Sequence, residues 1–146
     1  MNMVEFKHYR GIGRGNEELE VTIASGPVIV EGGKVLLDKH GDDEFWKFPG
    51  GTHIGGKDFL DTARFRVKEE LGIDVELGGE PCVLAFDRSH KGTKEYVLLI
   101  HYKAERKGEI KKGEMVREFD WFDVNSLPED VALNIEPVLR YFKFIG

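Results

Sequence analysis

The alternation of apolar and polar residues predicts strands in the first third of the chain and again in its second half. Between two such stretches stand Gly32 and Gly33, a dipeptide typical of a tight β-hairpin turn. The predicted strands are Glu18–Ala24, Pro27–Glu31, Lys34–Lys39, Phe45–Phe48, Cys82–Phe86, Glu95–Lys103 and Glu118–Asp123.

A change to helical spacing predicts two helices. Apolar residues from Leu60 to Leu71 follow one stripe of a helix over Asp58–Leu71, and Gly72 ends it. A second helical region covers Pro128–Phe144. Strands mixed with two helices in this order indicate a layered α/β or α+β domain. The apolar residues of the second region that are available for packing are Val131, Leu133, Ile135, Val138, Leu139, Tyr141 and Phe142.

The composition is that of an ordinary globular domain. Of the 146 residues, 40% are apolar and 33% are charged. We therefore expect one domain over residues 1–146, with N-terminal strands in residues 1–25. No apolar run reaches the roughly 18 residues that span a membrane, and the first residues lack the apolar block of a signal peptide. Cys82 is the only cysteine, so no internal disulfide can form. Together with the lack of long apolar runs, this leads us to expect a cytoplasmic protein without a membrane partner.

The charge narrows the possible ligands. The formal net charge is −6, which disfavours a nucleic-acid partner because nucleic-acid binders usually present a basic face. An acidic protein that handles phosphates normally needs a metal ion to bridge the like charges. The histidines His8, His40 and His101 show no metal-ligand spacing. The glycine-rich Gly11–Gly15 precedes a strand rather than a helix, so we interpret it as a turn and not as a phosphate loop.

The stretch from Gly50 to the end of the first helix carries candidate chemistry. On an ideal helix Arg66, Glu69 and Glu70 share one face, beside the apolar stripe. Two carboxylates are thus held at the edge of the core, and Mg²⁺ takes one or two such ligands while leaving positions for water and substrate phosphate. The glycines before the helix, Gly50 and Gly51 among them, let the backbone approach a ligand closely.

A larger pattern surrounds these carboxylates and resembles the Nudix hydrolase family. It consists of Trp46–Gly51, then a helix that ends in Val67–Ile73, and later Asp120–Pro128 and a terminal helix. The family is recognised by a sequence motif, the Nudix box, and Gly51 lies at the spacing of the leading glycine of this box. The resemblance covers about residues 26–146.

The resemblance implies an α/β/α sandwich with a mixed β-sheet between helices. It implies hydrolysis of a nucleoside diphosphate linked to another group, a small-molecule substrate, by attack of water on phosphorus. Mg²⁺, or Mn²⁺, would be held by Glu69 and Glu70 together with an acid from a later loop. The candidates for that acid are Glu114 and Glu118, and the spacing to Trp121 favours Glu118 as the third catalytic and metal-binding residue. A homodimer is a common family arrangement.

Three box positions depart from the family pattern. Lys57 and Phe65 replace a glutamate and an arginine that in the family pair to brace the loop against the helix. Arg66 replaces a glutamate that is normally a metal ligand. Three interpretations follow: a hydrolase with a reduced metal site, a hydrolase whose diphosphate is gripped by Arg66, or a catalytically impaired nucleotide-binding module. The first two should need Glu70 and a divalent cation, whereas the third should not.

The remaining candidates line the expected substrate path. Gly50, Gly51 and Arg66 are assigned to substrate binding. Trp46 is either a platform on which a base stacks or a core aromatic residue. Arg88 either contacts a substrate phosphate, together with Lys91, or belongs to an ordinary hairpin tip. His53 and His90 each have two interpretations, as a contact to a substrate phosphate or as a surface residue.

Overall fold

The computed structural model describes residues 4–5, 9–12, 18–88 and 94–146. Nine strands and two helices occur in these ranges. They are β1 (Val4–Glu5), β2 (Tyr9–Ile12), β3 (Glu18–Glu31), β4 (Lys34–His40), β5 (Gly51–Thr52), β6 (Ile54–Gly55), α1 (Phe59–Leu71), β7 (Asp74–Asp87), β8 (Glu95–Lys107), β9 (Val116–Asp123) and α2 (Ile135–Tyr141).

Strand β3 is the centre of a mixed sheet. Strand β8 runs parallel to it from Glu20 to Ile29, whereas β2, β4 and β5 pair with it in the antiparallel sense. Strands β7 and β9 are the antiparallel neighbours of β8 and β4, which gives the order β7-β8-β3-β4-β9. Strands β1 and β6 form a separate antiparallel pair.

The two helices cover opposite faces of this sheet, because successive strand residues point to opposite sides. The side that we call the α1 face contains Ile29, Leu36, Val67 and Leu71. The side that we call the α2 face contains Val28, Leu37, Val138 and Leu139. The mixed sheet between helices that the sequence predicts is confirmed.

Helix α1 follows its sequence signals closely. It begins after Asp58, whose Oδ1 accepts a hydrogen bond from the Asp61 amide at 2.8 Å. It ends at Gly72, which has φ 69° and whose N–H donates to the Lys68 carbonyl. Both caps satisfy backbone groups that a helix leaves unpaired at its ends. The predicted helix is confirmed to within one residue.

Strand β3 is longer than predicted. The sequence separates Glu18–Ala24 from Pro27–Glu31, but the structure has one strand across both. Because β8 pairs with β3 without interruption, the ladder continues past Gly26 and Pro27. On its other edge β3 changes partner from β5 to β4 around Pro27, a place where the missing proline N–H breaks no ladder bond. The hairpin turn at Gly32 and Gly33 is confirmed.

Helix α2 is shorter than predicted, because residues 128–134 form bends, an isolated β-bridge at Val131 and a turn instead of helix. The Trp46 amide donates to the Asp130 carbonyl, and the Ala132 amide donates to the Trp46 carbonyl, both at 2.8 Å. These bonds use backbone groups that a helix would need. Leu133, predicted to pack, is 85% exposed. The predicted strand Phe45–Phe48 is reduced to isolated bridges.

Across the parts of the chain that the model describes, no helix combines the length and the apolar character needed to cross a membrane.

Candidate active site

The turn at Gly50 meets the last turn of α1. Gly50 has φ 134°, and a Cβ there would lie 2.5 Å from the Ser25 carbonyl oxygen, so a larger residue does not fit. The close approach lets the Gly50 N–H donate to Oε1 of Glu70 at 2.6 Å. Glu70 is only 4% exposed. The glycine turn therefore positions a buried carboxylate at the end of the helix.

Strand β4 brings two further polar side chains to Glu70. Asp38 and His40 alternate along the strand with Lys39 and therefore project from the α1 face. His40 Nδ1 lies 2.5 Å from Asp38 Oδ1 and 2.9 Å from Glu70 Oε2. We call Asp38, His40 and Glu70 the carboxylate–histidine group. Asp38 and His40 precede Glu70 by 32 and 30 positions, so no local sequence pattern links them to it.

The two carboxylates determine the protonation of this group. Burial lowers the pKa of His40, but the hydrogen bonds and negative charges of Asp38 and Glu70 outweigh it and raise this pKa to about 9. Burial raises the pKa of Glu70, and repulsion from Asp38 adds to it, while bonds from His40 and the Gly50 amide oppose it. At neutral pH His40 is therefore a cation between two acids.

The carboxylate–histidine group is also a candidate metal centre. Each member offers one ligand atom, and these atoms all lie within 4.8 Å of one another. Asp38 Oδ2 is buried and has no hydrogen-bond partner. Carboxylate and imidazole are common ligands of divalent cations. The sequence spacing of the histidines does not indicate this group, because the neighbours of His40 come from the same strand and from a distant helix. His8 lies outside the described residues.

Arg66 ties the glycine loop to α1. Its Nε and Nη2 donate to the Thr52 carbonyl oxygen at 3.0 and 2.9 Å, and its Nη1 donates to Glu69 Oε1 at 3.2 Å. A Cβ on Gly51 would lie 3.2 Å from Arg66 Cδ. Arg66 thus braces the glycine loop against α1, and its assignment to substrate binding stays a prediction.

The two loop acids occupy different places. The Gly113 amide donates to the main-chain carbonyl of Glu70 at 2.8 Å, so the chain at Glu114 runs beside the end of α1. Glu118 instead pairs with Lys39 across β4 and β9, and its carboxylate lies 3.7 Å from Lys39 Nζ. Directly opposed residues share a face, so Glu118 projects from the α2 face. Glu118 and Glu70 thus lie on opposite faces of the sheet in this structure, and the role of Glu118 as third catalytic and metal-binding residue stays a prediction.

A cleft of about 260 Å³ opens beside the carboxylate–histidine group. Its lining includes Gly50, Gly51 and Arg88, three of the predicted substrate residues, together with His40 and Lys47. It shares Lys47, Arg88 and Asn134 with an apolar cavity of about 460 Å³. The cleft beside the carboxylate–histidine group, which we call the polar end, therefore leads into the apolar cavity, which we call the apolar end.

Trp46 is a core residue on the α2 face. It packs edge-on against Phe122 with ring centres 4.7 Å apart, and Lys39 Nζ lies 4.8 Å from its ring centre. The packing interpretation of Trp46 is confirmed, and its assignment as a substrate contact stays a prediction. Arg88 is paired with Glu95. His90, Lys91 and residues 13–15 of the glycine-rich turn lie outside the described residues.

Two other histidines are buried. His101 Nδ1 donates to the Gly26 carbonyl at 3.2 Å, and its Nε2 accepts from the Asn134 amide at 3.1 Å. Burial lowers the pKa of His101 to about 4, so it is neutral. His53 Nδ1 lies 2.9 Å from Thr62 Oγ1 beneath the loop. It is buried, so the surface interpretation of His53 was wrong.

The sequence missed Asp38, His40, Lys47 and Asn134. Asp38 left one trace: it continues the buried face that Leu36 begins, where polar residues are unusual.

Comparison with known proteins gives a consistent result. A model of the NUDIX domain matches residues 21–142. A comparison with curated proteins finds no match. Among solved structures, the MutT NUDIX hydrolase from Burkholderia pseudomallei is similar with 23% identity and a TM-score of 0.69, over 82% of this chain and 96% of that one.

Two further solved structures share the fold. An ADP-ribose pyrophosphatase from Streptococcus suis has 23% identity and a TM-score of 0.59, over 79% of this chain and 90% of that one. An Ap4A hydrolase from C. elegans has 20% identity and a TM-score of 0.63, over 82% of this chain and 93% of that one.

Proposed function

Because this chain belongs to the NUDIX domain family, we propose that it is a hydrolase of a nucleoside diphosphate linked to another group. Water attacks phosphorus, and a divalent cation, Mg²⁺ or Mn²⁺, assists. One observation carries this proposal: Glu70, the last acid of the box, is fixed by the Gly50 amide and by His40, and both of these residues line a cleft.

Glu70 and Glu69 have different environments, which suits two roles. Glu70 is buried and held at both oxygens, by the Gly50 amide and by His40. Glu69 is about half exposed, and one of its oxygens accepts a bond from Arg66. We assign Glu70 to holding the cation and Glu69 to the solvent side of the same site. When bound, the cation polarises a phosphoryl oxygen and offsets the charge of the diphosphate.

The two ends of the cleft suit the two parts of such a substrate. The polar end offers the backbone of Gly50 and Gly51, and also Lys47 and Arg88, which would bind a diphosphate by exchanging their present partners Asp43 and Glu95. The apolar end has room for the base and the linked group. An acid in the loop at Glu114 accepts the proton of the attacking water.

Arg66 supports the alternative of a nucleotide-binding module. Arg66 stands where the box has a metal-binding glutamate, and its guanidinium also bonds the carboxylate of Glu69. One expected metal ligand is therefore absent, and a second is engaged in a structural contact. A module would bind nucleotide through the same cleft without hydrolysis. It would retain that affinity when Glu70 is replaced by Gln.

The experiment incubates the purified protein with nucleotides and nucleoside diphosphate sugars, with and without Mg²⁺ or Mn²⁺, and measures phosphate after phosphatase coupling. Glu70→Gln is the test variant, and Glu136→Gln on the exposed side of α2 is the matched control. We expect metal-dependent release that Glu70→Gln reduces roughly 100-fold or more, because several kcal/mol of charge stabilisation are lost.

Absence of release in every condition, with a nucleotide still raising the melting temperature, would support the binding module instead. The homodimer implied by the resemblance stays a prediction, which sedimentation equilibrium tests.

A further inference from the structure

Asp38 and His40 have no role in the reaction proposed above, yet both are held beside Glu70. Asp38 is 0% exposed. Its Oδ1 bonds His40, whereas its Oδ2 is buried and meets no hydrogen-bond partner among the described residues. Buried carboxylate oxygens normally have a partner, because an unsatisfied one retains its full desolvation penalty. Asp38 Oδ2 therefore has coordinating capacity that no described side chain or backbone group uses.

The charges of the group are also unbalanced. When both buried carboxylates are ionised they outnumber the single imidazole, so the group then keeps one net negative charge even with His40 protonated. An uncompensated charge is unfavourable in a buried site. A divalent cation bound to both carboxylates and to a neutral imidazole would leave no net charge.

We infer that Asp38, His40 and Glu70 form a mixed nitrogen and oxygen site for a divalent transition metal such as Mn²⁺, Co²⁺ or Zn²⁺, in preference to Mg²⁺. This inference rests on the proposed function only for what the cation does in catalysis, because binding is measured without substrate. The ligands that it adds, Asp38 and His40, come from β4 rather than from the helix that carries the box.

The side chains are already close enough for one ion. Ligands of a first-row divalent cation lie about 2.0–2.2 Å from it, so two of them are at most about 4.4 Å apart. The ligand atoms of the three residues are within 4.8 Å of one another. Small side-chain rotations suffice, and the buried backbone of β4 and α1 does not have to move.

The imidazole determines the choice of ion. Mg²⁺ is hard and favours oxygen ligands and water, whereas imidazole suits first-row transition metals, whose affinities exceed that of Mg²⁺ at nitrogen ligands. A site with one nitrogen among three protein ligands therefore discriminates against Mg²⁺, and it leaves positions for water or substrate.

The same site explains how the chain tolerates Arg66. This side chain cannot be a metal ligand, and its guanidinium is directed to Thr52 and Glu69. Asp38 and His40 approach Glu70 from the strand. The ligand lost from the helix is thus replaced by two from β4, so the metal site is displaced towards the sheet.

The experiment measures metal binding to the protein after EDTA treatment and dialysis. Isothermal titration gives affinities for Mn²⁺, Co²⁺, Zn²⁺ and Mg²⁺, and Co²⁺ absorption reports the ligand field. Pulsed EPR of Mn²⁺ on protein labelled with ¹⁵N-histidine detects a directly bound imidazole. The variants are His40→Gln and Asp38→Asn. Lys39→Gln is the matched control, because Lys39 lies between them and projects from the opposite face. Circular dichroism checks that each variant is folded.

We expect wild type and Lys39→Gln to bind Mn²⁺, Co²⁺ or Zn²⁺ at least 10-fold more tightly than Mg²⁺, with one histidine nitrogen coupled to Mn²⁺. His40→Gln should lose that coupling and roughly 10- to 100-fold in transition-metal affinity, while its Mg²⁺ affinity changes little. Unchanged affinity and an unchanged EPR spectrum in folded His40→Gln would overturn the inference, as would the absence of any metal binding.

The outcomes separate this inference from the proposed function. Hydrolysis that needs Glu70 but a metal affinity independent of His40 would leave the function standing and remove the site. A histidine-coordinated ion in a protein that hydrolyses no substrate of the panel would support the metal site and contradict the proposed function.

Discussion

The two faces of strand β4 differ although they belong to the same seven residues. On the α2 face, Leu37 packs in an apolar core, and Lys39 closes it by lying over the ring of Trp46. On the α1 face, Leu36 begins a similar core, but Asp38 and His40 follow it and meet Glu70. One face ends in a cation over an aromatic ring, paired with exposed acids, and the other ends in a carboxylate–histidine group.

This difference shows where stability and chemistry are separated in the fold. Apolar side chains on the α2 face stabilise the protein by leaving water. Polar side chains on the α1 face are tolerated only because partners from α1 and the glycine turn reach them. We therefore expect apolar truncations on the α2 face to alter stability, and changes of the polar residues Asp38, His40 and Glu70 on the α1 face to alter metal binding and activity.

The largest effect should come from Leu37→Ala on the α2 face. Leu37 is fully buried, so truncation removes apolar contacts and leaves a cavity. We expect a loss of about 2–5 kcal/mol in the free energy of unfolding, measured by urea titration. Metal affinity of the folded variant should stay within about twofold of wild type. A loss of metal affinity with little change in stability would contradict the separation of the two faces.

The next effect contrasts the two loop acids. Glu114→Gln should reduce kcat roughly 100-fold, as expected when a general base is removed, because its loop lies at the end of α1. Glu118→Gln should change kcat by less than about twofold, because Glu118 pairs with Lys39 on the α2 face. Steady-state kinetics on the best substrate of the panel measures kcat for both variants. A larger loss of kcat in Glu118→Gln than in Glu114→Gln would support the spacing argument for Glu118.

The two faces also hold histidines whose pKa values are shifted in opposite directions, which gives a pH prediction. The pKa of His101 is lowered by burial to about 4 from its ordinary 6.5. The unfolded chain therefore binds the proton more tightly, and the contribution of His101 to stability is complete above about pH 6.5 and falls as the pH drops towards 4. His40, with a pKa raised to about 9, contributes most below pH 6.5 and loses its contribution as the pH rises through 9.

His101→Gln isolates the first of these contributions. Between pH 7.5 and pH 5, wild type should lose about 2 kcal/mol more of its unfolding free energy than this variant. Urea titrations at the two pH values measure the difference. Equal losses in the two proteins would mean that His101 is not held neutral in the folded state.

The smallest effect should come from Lys39→Met. This change removes the ion pairs with Glu118 and Asp130 but keeps an apolar stem over Trp46. Both acids are largely exposed, and such pairs contribute about 1 kcal/mol or less. Differential scanning calorimetry should show a small shift in Tm. A loss comparable to that of Leu37→Ala would mean that the charge, and not the apolar packing, holds this face together.

Much of the fold follows from local signals in the sequence. Helix α1 has its cap at Asp58 and its stop at Gly72, and the turn at Gly32 and Gly33 determines the β3–β4 hairpin. These features depend on a few neighbouring residues, so the sequence predicts their positions. The box from Gly51 to the end of α1 likewise identifies the family, because its spacing is a property of one continuous segment.

Other features depend on contacts between distant segments. The extended backbone at Asp130 and Ala132 pairs with Trp46 and therefore prevents the helix that the local pattern favours. In the same way, strand pleating places Glu118 on the far side of the sheet, and the registers of β3 and β8 join two predicted strands into one.

The sequence by itself determined the family, the helix that carries the acids and the glycine turn that holds Glu70, because each of these is specified within one stretch of chain. Only the tertiary structure decided that Asp38 and His40 join Glu70 and that Arg66 braces the loop. The physical reason is that a buried polar residue is stable only beside its partner, and here the partner lies on another element of the fold.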